Sequence, residues 1–479
     1  MEVLKTSEKI LLYEKIAYNI ERQINNEVYK TGEKLPSIRT ICREYGVSMS
    51  TALQAYYELE NKSLIESRPQ SGYFVSHPVH KLAIAPETSN PTNMVSSDKA
   101  EFIISEVYKD FDKHKVTLFS LSVPDDALLP IPKLNKALLQ ATRTLKGSGT
   151  EYEQVQGNPR LRNAIARWSF KVDSNMTGED LITTAGCMNA LSYCLMALTE
   201  RGDTVALESP VYFGILQLTK SLGLKVLEMP TNATTGIELE ALKKAFEAQK
   251  VKVCLLVTNF NNPLGSSMPD SHKRELVKML EHYNIPLIED DLYGDVYFGH
   301  SRPSSCKTYD ESGLVLWCGS VSKTLAPGYR VGWVAPGKHK EQIIRLKLFH
   351  SVSSTTITQE AIADFLENGR YDNHLRKLRN TLHTNSLRFI HSIVTHFPEG
   401  TKISQPEGGF VLWVELDKRI DTFELYKSAI RHKISIAPGR MFTLQHQFDH
   451  CLRLSYGLIW TEEVDKALQL LGRLIKEMY

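Results

Sequence analysis

Lys323 stands in GSVSKTLAPGYRVGW, just after the strand-like GLVLWCGS, so its amine is expected at a strand end in a cleft rather than on a solvated helix face. Upstream, the apolar run of IPLIEDDLYGD ends on Asp290 and Asp291, with Tyr293 close behind, and TNFNNPLG carries Asn262 beside Asn259 and Asn261. A fourth segment, TTAGCMNAL, passes from strand to helix through a small residue and would aim the backbone N–H groups of Gly186, Cys187 and Met188 at an anion. Singly, each has a plainer use: a surface lysine, a helix-capping aspartate, an Asn-Pro turn. Jointly they offer an amine for a Schiff base, an acid to keep a ring nitrogen protonated, a donor to a phenolic oxygen and a phosphate cradle. Pyridoxal 5'-phosphate (PLP) is a cofactor whose chemistry makes this set of demands.

The lysine segment resembles the aminotransferase motif SxSKxxxPxxRxG through Ser320, Ser322, Lys323, Pro327, Arg330 and Gly332. By that resemblance to fold-type I PLP enzymes, Lys323 is the cofactor lysine, and Ser320 and Arg330 hold the phosphate. Asp290 and Tyr293 are similar to the DxxY element, which pairs the Asp with the pyridinium nitrogen and the Tyr with the phenolic oxygen. Asp291 is the rival, although the spacing to Tyr293 favours Asp290. Asn262 resembles the NPxG asparagine that donates to the same oxygen. Cys187 and Met188 depart from the polar side chains common in relatives, which leaves their backbone as the expected contact. The resemblance further implies that Tyr212 in ESPVYFG stacks on the cofactor ring, that Tyr152 reaches the phosphate of a neighbouring subunit, and that Arg453 in CLRLSYG takes a ligand carboxylate.

These residues must be carried by a substantial scaffold. A chain of 479 residues exceeds one ordinary core, and 42% hydrophobic with 23% charged residues is the balance of a globular protein. From about residue 115, runs such as VKVCLLVTNF, IPLIED and GLVLWCGS alternate with helical stretches such as DSHKRELVKMLEHY, which predicts parallel strands joined by crossover helices. From about residue 365 a charged helix, strand-like GGFVLWVEL and a final amphipathic helix predict a smaller lobe. The uncharged stretch from Leu181 to Thr199 is long enough to raise a membrane span, but Thr183, Thr184, Gly186, Asn189 and Ser192 favour strand, turn and packed helix, so no membrane is expected. The seven cysteines are scattered, with neither CxxC nor zinc-ligand spacing to histidine; no metal site is expected and a reducing compartment fits. MEVLKTSEKI has no secretory character, and the cytoplasm is the expected location.

A formal net charge of +2 does not announce a nucleic-acid binder, so any DNA contact must be local. Residues 7–77 nonetheless read as helix, helix, turn, helix and hairpin. In GEKLPSIRTICREYGVSMSTALQAYYELENKSLIESRPQSGYFVS, Pro36 and Ser37 start a helix carrying Arg39 and Arg43, Gly46 and Val47 turn the chain, and Ser48 caps a helix over Met49 to Asn61. Leu53, Tyr56 and Leu59 should face inward, leaving Ser50, Thr51 and Gln54 for a major groove, with a wing bending near Gly72. The segment resembles the GntR pattern LPSxRxLAxxxGVSxxT through Leu35, Pro36, Ser37, Arg39, Gly46, Val47, Ser48 and Thr51. Met49 replaces the Arg common in that family, leaving Arg39, Arg43 and Arg68 as the main basic candidates.

The fold class expected is α/β: an N-terminal winged helix-turn-helix plus a fold-type I aminotransferase-like large domain with a mostly parallel sheet and a smaller α+β lobe. The boundaries are 1–77 for the DNA-binding domain, 78–98 for a Pro-, Ser- and Thr-containing linker and 99–479 for the PLP-binding domain. Both resemblances together are similar to the MocR subfamily of GntR-type regulators. They imply a PLP-dependent transcription regulator, dimeric on a double-stranded DNA operator, that senses an amino acid, a related carboxylate amine or PLP itself. An active PLP-dependent aminotransferase is the alternative, since every group for transamination is present.

Overall fold

The computed structural model describes residues 11–26, 28–30, 32–61, 64–68, 71–75, 84–91, 98–110 and 116–479. Two compact units divide the chain, Met1–Leu82 and Ala83–Tyr479. Of the segment read as a linker, residues 84–91 lie on the second unit, where Ile84 bridges to Lys402 and the Ser89 N–H donates to Thr231 O at 3.1 Å. Most of the remaining linker falls outside the described residues.

The first unit consists of α1 (Leu12–Asn25), α2 (Ile38–Tyr45), α3 (Met49–Asn61) and the antiparallel hairpin β1 (Ile65–Arg68) and β2 (Gly72–Val75). Ser37 caps α2 by accepting the Thr40 N–H at 3.1 Å, and Gly46 ends it in the left-handed conformation at φ 62°, which a side chain would disfavour. Ser48 accepts the Thr51 N–H at 3.2 Å and starts α3. The inward face of α3 is Ala52, Ala55, Tyr56 and Leu59, all fully buried, so Leu53 is a correction to the expected face: it is only half-buried. Steps of three and four join Ala52 to Ala55 and Tyr56 and both of these to Leu59, a stripe centred near Ala52 and Leu59 that leaves Leu53 at its margin. The Tyr56 hydroxyl donates to Pro36 O at 2.7 Å and ties α3 to the start of α2.

The second unit is built on a seven-stranded sheet. Its strands are β3 (Ile182–Thr184), β4 (Thr204–Glu208), β5 (Lys225–Met229), β6 (Val253–Leu256), β7 (Leu287–Asp290), β8 (Val315–Ser320) and β9 (Gly332–Ala335), in the spatial order β3-β9-β8-β7-β6-β4-β5. Only β9 runs against its neighbours; the pairs among β4 to β8 are parallel. Parallel strands buried on both faces read as continuous apolar runs, and VCLL in β6 is entirely buried. The uncharged stretch of 181–199 becomes β3, a turn at Gly186 and helix α4 (Cys187–Leu198). No helix among the described residues is long and apolar enough to cross a membrane.

The smaller lobe has an antiparallel sheet of β10 (Lys402–Ile403), β11 (Val411–Glu415), β12 (Ala437–Pro438) and β13 (Cys451–Ser455), in the order β10-β11-β13-β12. It carries the long helix α5 (Arg370–His396) and the amphipathic α6 (Glu462–Lys476), which buries Val464, Leu468, Leu471 and Ile475 on one stripe.

Candidate cofactor site

A cavity of about 240 Å³ opens in the second unit at the carboxyl ends of β6, β7 and β8, where open α/β sheets place their ligands. Lys323, three residues beyond β8, and Asp290, the last residue of β7, both line it, as do Asn262, Tyr293, Tyr212, Cys187, Met188 and Arg330. Side chains alternate along a strand, which sends Glu289 and Asp291 to one face and Asp290 to the other. Asp291 accordingly faces away from the cavity. It accepts the Trp317 indole N–H at 2.8 Å and an Asn259 amide N–H at 3.0 Å and pairs with Arg302. Of the three asparagines considered, Asn262 alone lines the cavity.

The polar contacts converge. The Asn262 side-chain amide donates to the Tyr293 hydroxyl at 3.2 Å, and Ser122 Oγ lies 3.3 Å from the same oxygen. The Lys323 ammonium donates to the Ser122 carbonyl. Asp290 Oδ1 accepts both the Cys187 thiol and the Leu292 N–H, each at 3.2 Å, while Oδ2 has no hydrogen bond among the described residues. Burial pushes the Asp290 carboxyl up to about 6, with the Cys187 thiol, the Leu292 N–H and the Lys323 charge opposing. Burial, reinforced by the charges of Arg453 and Arg330, lowers Lys323 to about 8, with Asp290 opposing. A lysine poised there is nucleophilic near neutral pH.

At the opposite wall, Gly186 turns the chain at φ 88° into α4, and a Cβ at this position would collide with the Arg330 guanidinium. That guanidinium donates to Ala185 O at 3.1 Å and to Ser322 Oγ at 3.3 Å. Ser320 sits behind: it is buried, donates to Val331 O at 2.8 Å and accepts the Ser322 N–H at 3.0 Å. Ser322 lines the cavity and Ser320, the serine to which the resemblance gives the phosphate, does not; the Ser320 hydroxyl is taken up by the Val331 carbonyl just before β9. Arg453, in the middle of β13, does not line the cavity itself; it donates to Asn262 Oδ1 at 3.1 Å and to the Ser120 carbonyl, and its buried Nε has no hydrogen-bond partner among the described residues. A Phe442 ring lies 5.1 Å from its guanidinium carbon. Tyr152 is 86% exposed and away from the cavity.

This donor set fits PLP. A lysine faces a carboxylate with one free oxygen, two donors share a phenolic position, and a glycine-floored cradle is closed by a guanidinium. Two contributors had no signature in sequence, the Ser122 carbonyl and the Cys187 thiol, while Ser322 stood in the lysine motif without a role. Ser122 lies 201 residues from Lys323, beyond the reach of any local pattern.

In the first unit Ser37, Arg39, Arg43, Ser48 and Ser50 are exposed, and Thr51 is half-buried. Ser48 Oγ lies 2.8 Å from both Ser50 Oγ and Thr51 Oγ1, so these hydroxyls are mutually bonded at the start of α3. Gly72 adopts φ 100° opposite Arg68, a conformation open to glycine; the Arg68 side chain lies outside the described residues.

Residues 12–75 match the family of bacterial regulatory proteins, gntR family, and residues 114–471 match aminotransferase class I and II. The chain is 37% identical over 468 residues to the uncharacterized HTH-type transcriptional regulator YdcR of Escherichia coli (strain K12), covering 97% of this chain and 99% of the relative. The chain belongs to the GntR-type regulators of MocR architecture. A second relative, the uncharacterized HTH-type transcriptional regulator YjiR of the same organism, is 36% identical over 467 residues, covering 97% of this chain and 98% of its own length. The MocR-type body also resembles the multiple substrate aminotransferase of Thermococcus profundus, at TM-score 0.73 and 24% identity over 78% of this chain and 94% of that one, which shows the fold-type I architecture.

Proposed function

We propose that this chain is a PLP-dependent, DNA-binding transcription regulator whose aminotransferase-like body senses an amino acid, a related carboxylate amine or PLP. The observation that carries the reading is the convergence of Lys323, Asp290, Asn262 and Arg330 on one cavity in a chain that also holds a GntR helix-turn-helix. PLP, when bound, supplies an aldehyde that exchanges amines and a ring that withdraws electrons. Lys323 is the attachment residue, Asp290 meets the ring nitrogen, and Asn262 and Tyr293 meet the phenolic oxygen. Ser322, Arg330 and the backbone from Gly186 to Met188 hold the phosphate, with Ser320 behind Ser322. Tyr212 covers the ring. Arg453 recognises the effector carboxylate; its guanidinium already reaches Asn262 at the cavity wall.

The protein works in the cytoplasm as a homodimer, with the exposed Tyr152 reaching the site of the second copy. On the operator, Ser37, Arg39, Arg43, Ser48, Ser50, Thr51, Arg68 and Gly72 form the contact set. Two subunits read two half-sites of double-stranded DNA. Effector binding changes DNA affinity only to the extent that the effector prefers one conformation of the body. The test is operator binding on the gene's own upstream DNA, with and without PLP and a panel of amino acids. Specific binding modulated by ligand supports the regulator; no specific binding, with ready amino-group transfer, would favour the aminotransferase alternative, for which Arg453 and Lys323 are both in place.

A further inference from the structure

We propose that Cys187 is a positioning residue for Asp290: its thiol holds one carboxylate oxygen so that the other is presented, ionised, to the ring nitrogen of the cofactor. The inference rests on the assignment of Asp290 to that nitrogen. Its basis is the division of labour between the two carboxylate oxygens. Oδ1 receives the Cys187 thiol and the Leu292 N–H, both at 3.2 Å, and Oδ2 receives no hydrogen bond from the described residues. Two donors on one oxygen fix the rotation of the carboxylate and leave the second free toward the cavity that Asp290 and Cys187 both line.

Cys187 is placed by backbone geometry. It follows Gly186 as the first residue of α4, only 5% exposed, so the turn that aims its N–H at the phosphate side also sets its side chain beside the end of β7. A thiol suits this position because it donates without bringing a positive charge. Burial and the neighbouring Asp290 raise its pKa well above the ordinary value, so it remains S–H through the neutral range. A cation there would also support the carboxylate, but it would compete with the protonated ring for it.

The contact is read first in the apoprotein, by infrared spectroscopy of the S–H stretch. Cys187→Ala should remove a hydrogen-bonded thiol band, and Asp290→Asn should shift that band toward the position of a weaker bond. PLP binding is then titrated across pH 5.5–8.5 for wild type, Cys187→Ala and Cys187→Ser. Loss of a hydrogen bond to a charged group should weaken PLP binding by about tenfold in Cys187→Ala, with the loss setting in at higher pH than in wild type. Cys187→Ser, which keeps a donor, should stay within about twofold of wild type. An S–H band indifferent to Asp290→Asn, an unchanged Cys187→Ala titration, or a serine variant as impaired as the alanine one would overturn the proposal. Failure of wild type to bind PLP would instead strike the cofactor assignment, since the infrared measurement needs no ligand.

Discussion

Asp290 is held in the fold at an energetic cost, and Asp290→Asn should stabilise the apoprotein. Burial raises its carboxyl from 3.8 to about 6. A folded-state value above the unfolded one means that the native protein keeps a proton the unfolded chain has already released. Stability therefore falls as pH rises from about 4 to about 6 and is level above that. Across this window the loss is about 3 kcal/mol, at about 1.4 kcal/mol for each pH unit. Asparagine retains an oxygen to accept from Cys187 and Leu292 and carries no charge, so it should recover up to about 3 kcal/mol at pH 7. Urea unfolding followed by tryptophan fluorescence isolates the relevant unit, because all five tryptophans lie beyond residue 83. The difference between variant and wild type should grow by about 1.4 kcal/mol from pH 5 to pH 7, most of it below pH 6. A variant no more stable than wild type at pH 7, or a difference independent of pH, would refute the reasoning. Added PLP should reverse the ranking, since the ligand stabilises only the protein that binds it well.

Lys323→Ala should abolish the pyridoxal absorbance band and the effector response with the circular dichroism of the fold retained; an unchanged spectrum rules out the attachment residue. Gly186→Ala puts a Cβ against the Arg330 guanidinium at a backbone angle that favours glycine, and should weaken PLP binding by at least about tenfold in a fluorescence titration. Wild-type affinity there would remove Gly186 and Arg330 from the cradle. Arg39→Ala and Arg43→Ala should each reduce the slope of log affinity against log salt by about one, measured on the operator by fluorescence anisotropy. A slope that neither change alters would place the DNA contacts elsewhere.

Much of the site was legible because its chemistry demands particular residue types close to glycine, proline or strand ends. Lys323, Asp290, Asn262 and Arg330 sit in short segments whose order and spacing are unusual enough to be read together, and they converge on one cavity. The capping serines of α2 and α3 and the turn at Gly46 were equally local, since a cap is set by residues three apart. The uncharged run at 181–199 could be assigned to strand, turn and helix because polar residues interrupt it.

Other features depend on contacts that no local pattern records. Sequence placed Leu53 on the inward face of α3, whereas packing against α1 and the hairpin selects Ala52 and Ala55 beside Tyr56. The motif offered two serines, and the Val331 carbonyl takes up the Ser320 hydroxyl while Ser322 lines the cavity. The bond from Lys323 to the Ser122 carbonyl and the thiol of Cys187 on Asp290 join positions 201 and 103 residues apart. Sequence by itself determined the two-part architecture, a family that implies PLP, and most of the polar residues that meet at the candidate cavity, because these follow from residue type and short spacing. Tertiary structure alone decided which oxygen of Asp290 is held and which is free, because that depends on where the turn into α4 meets the end of β7.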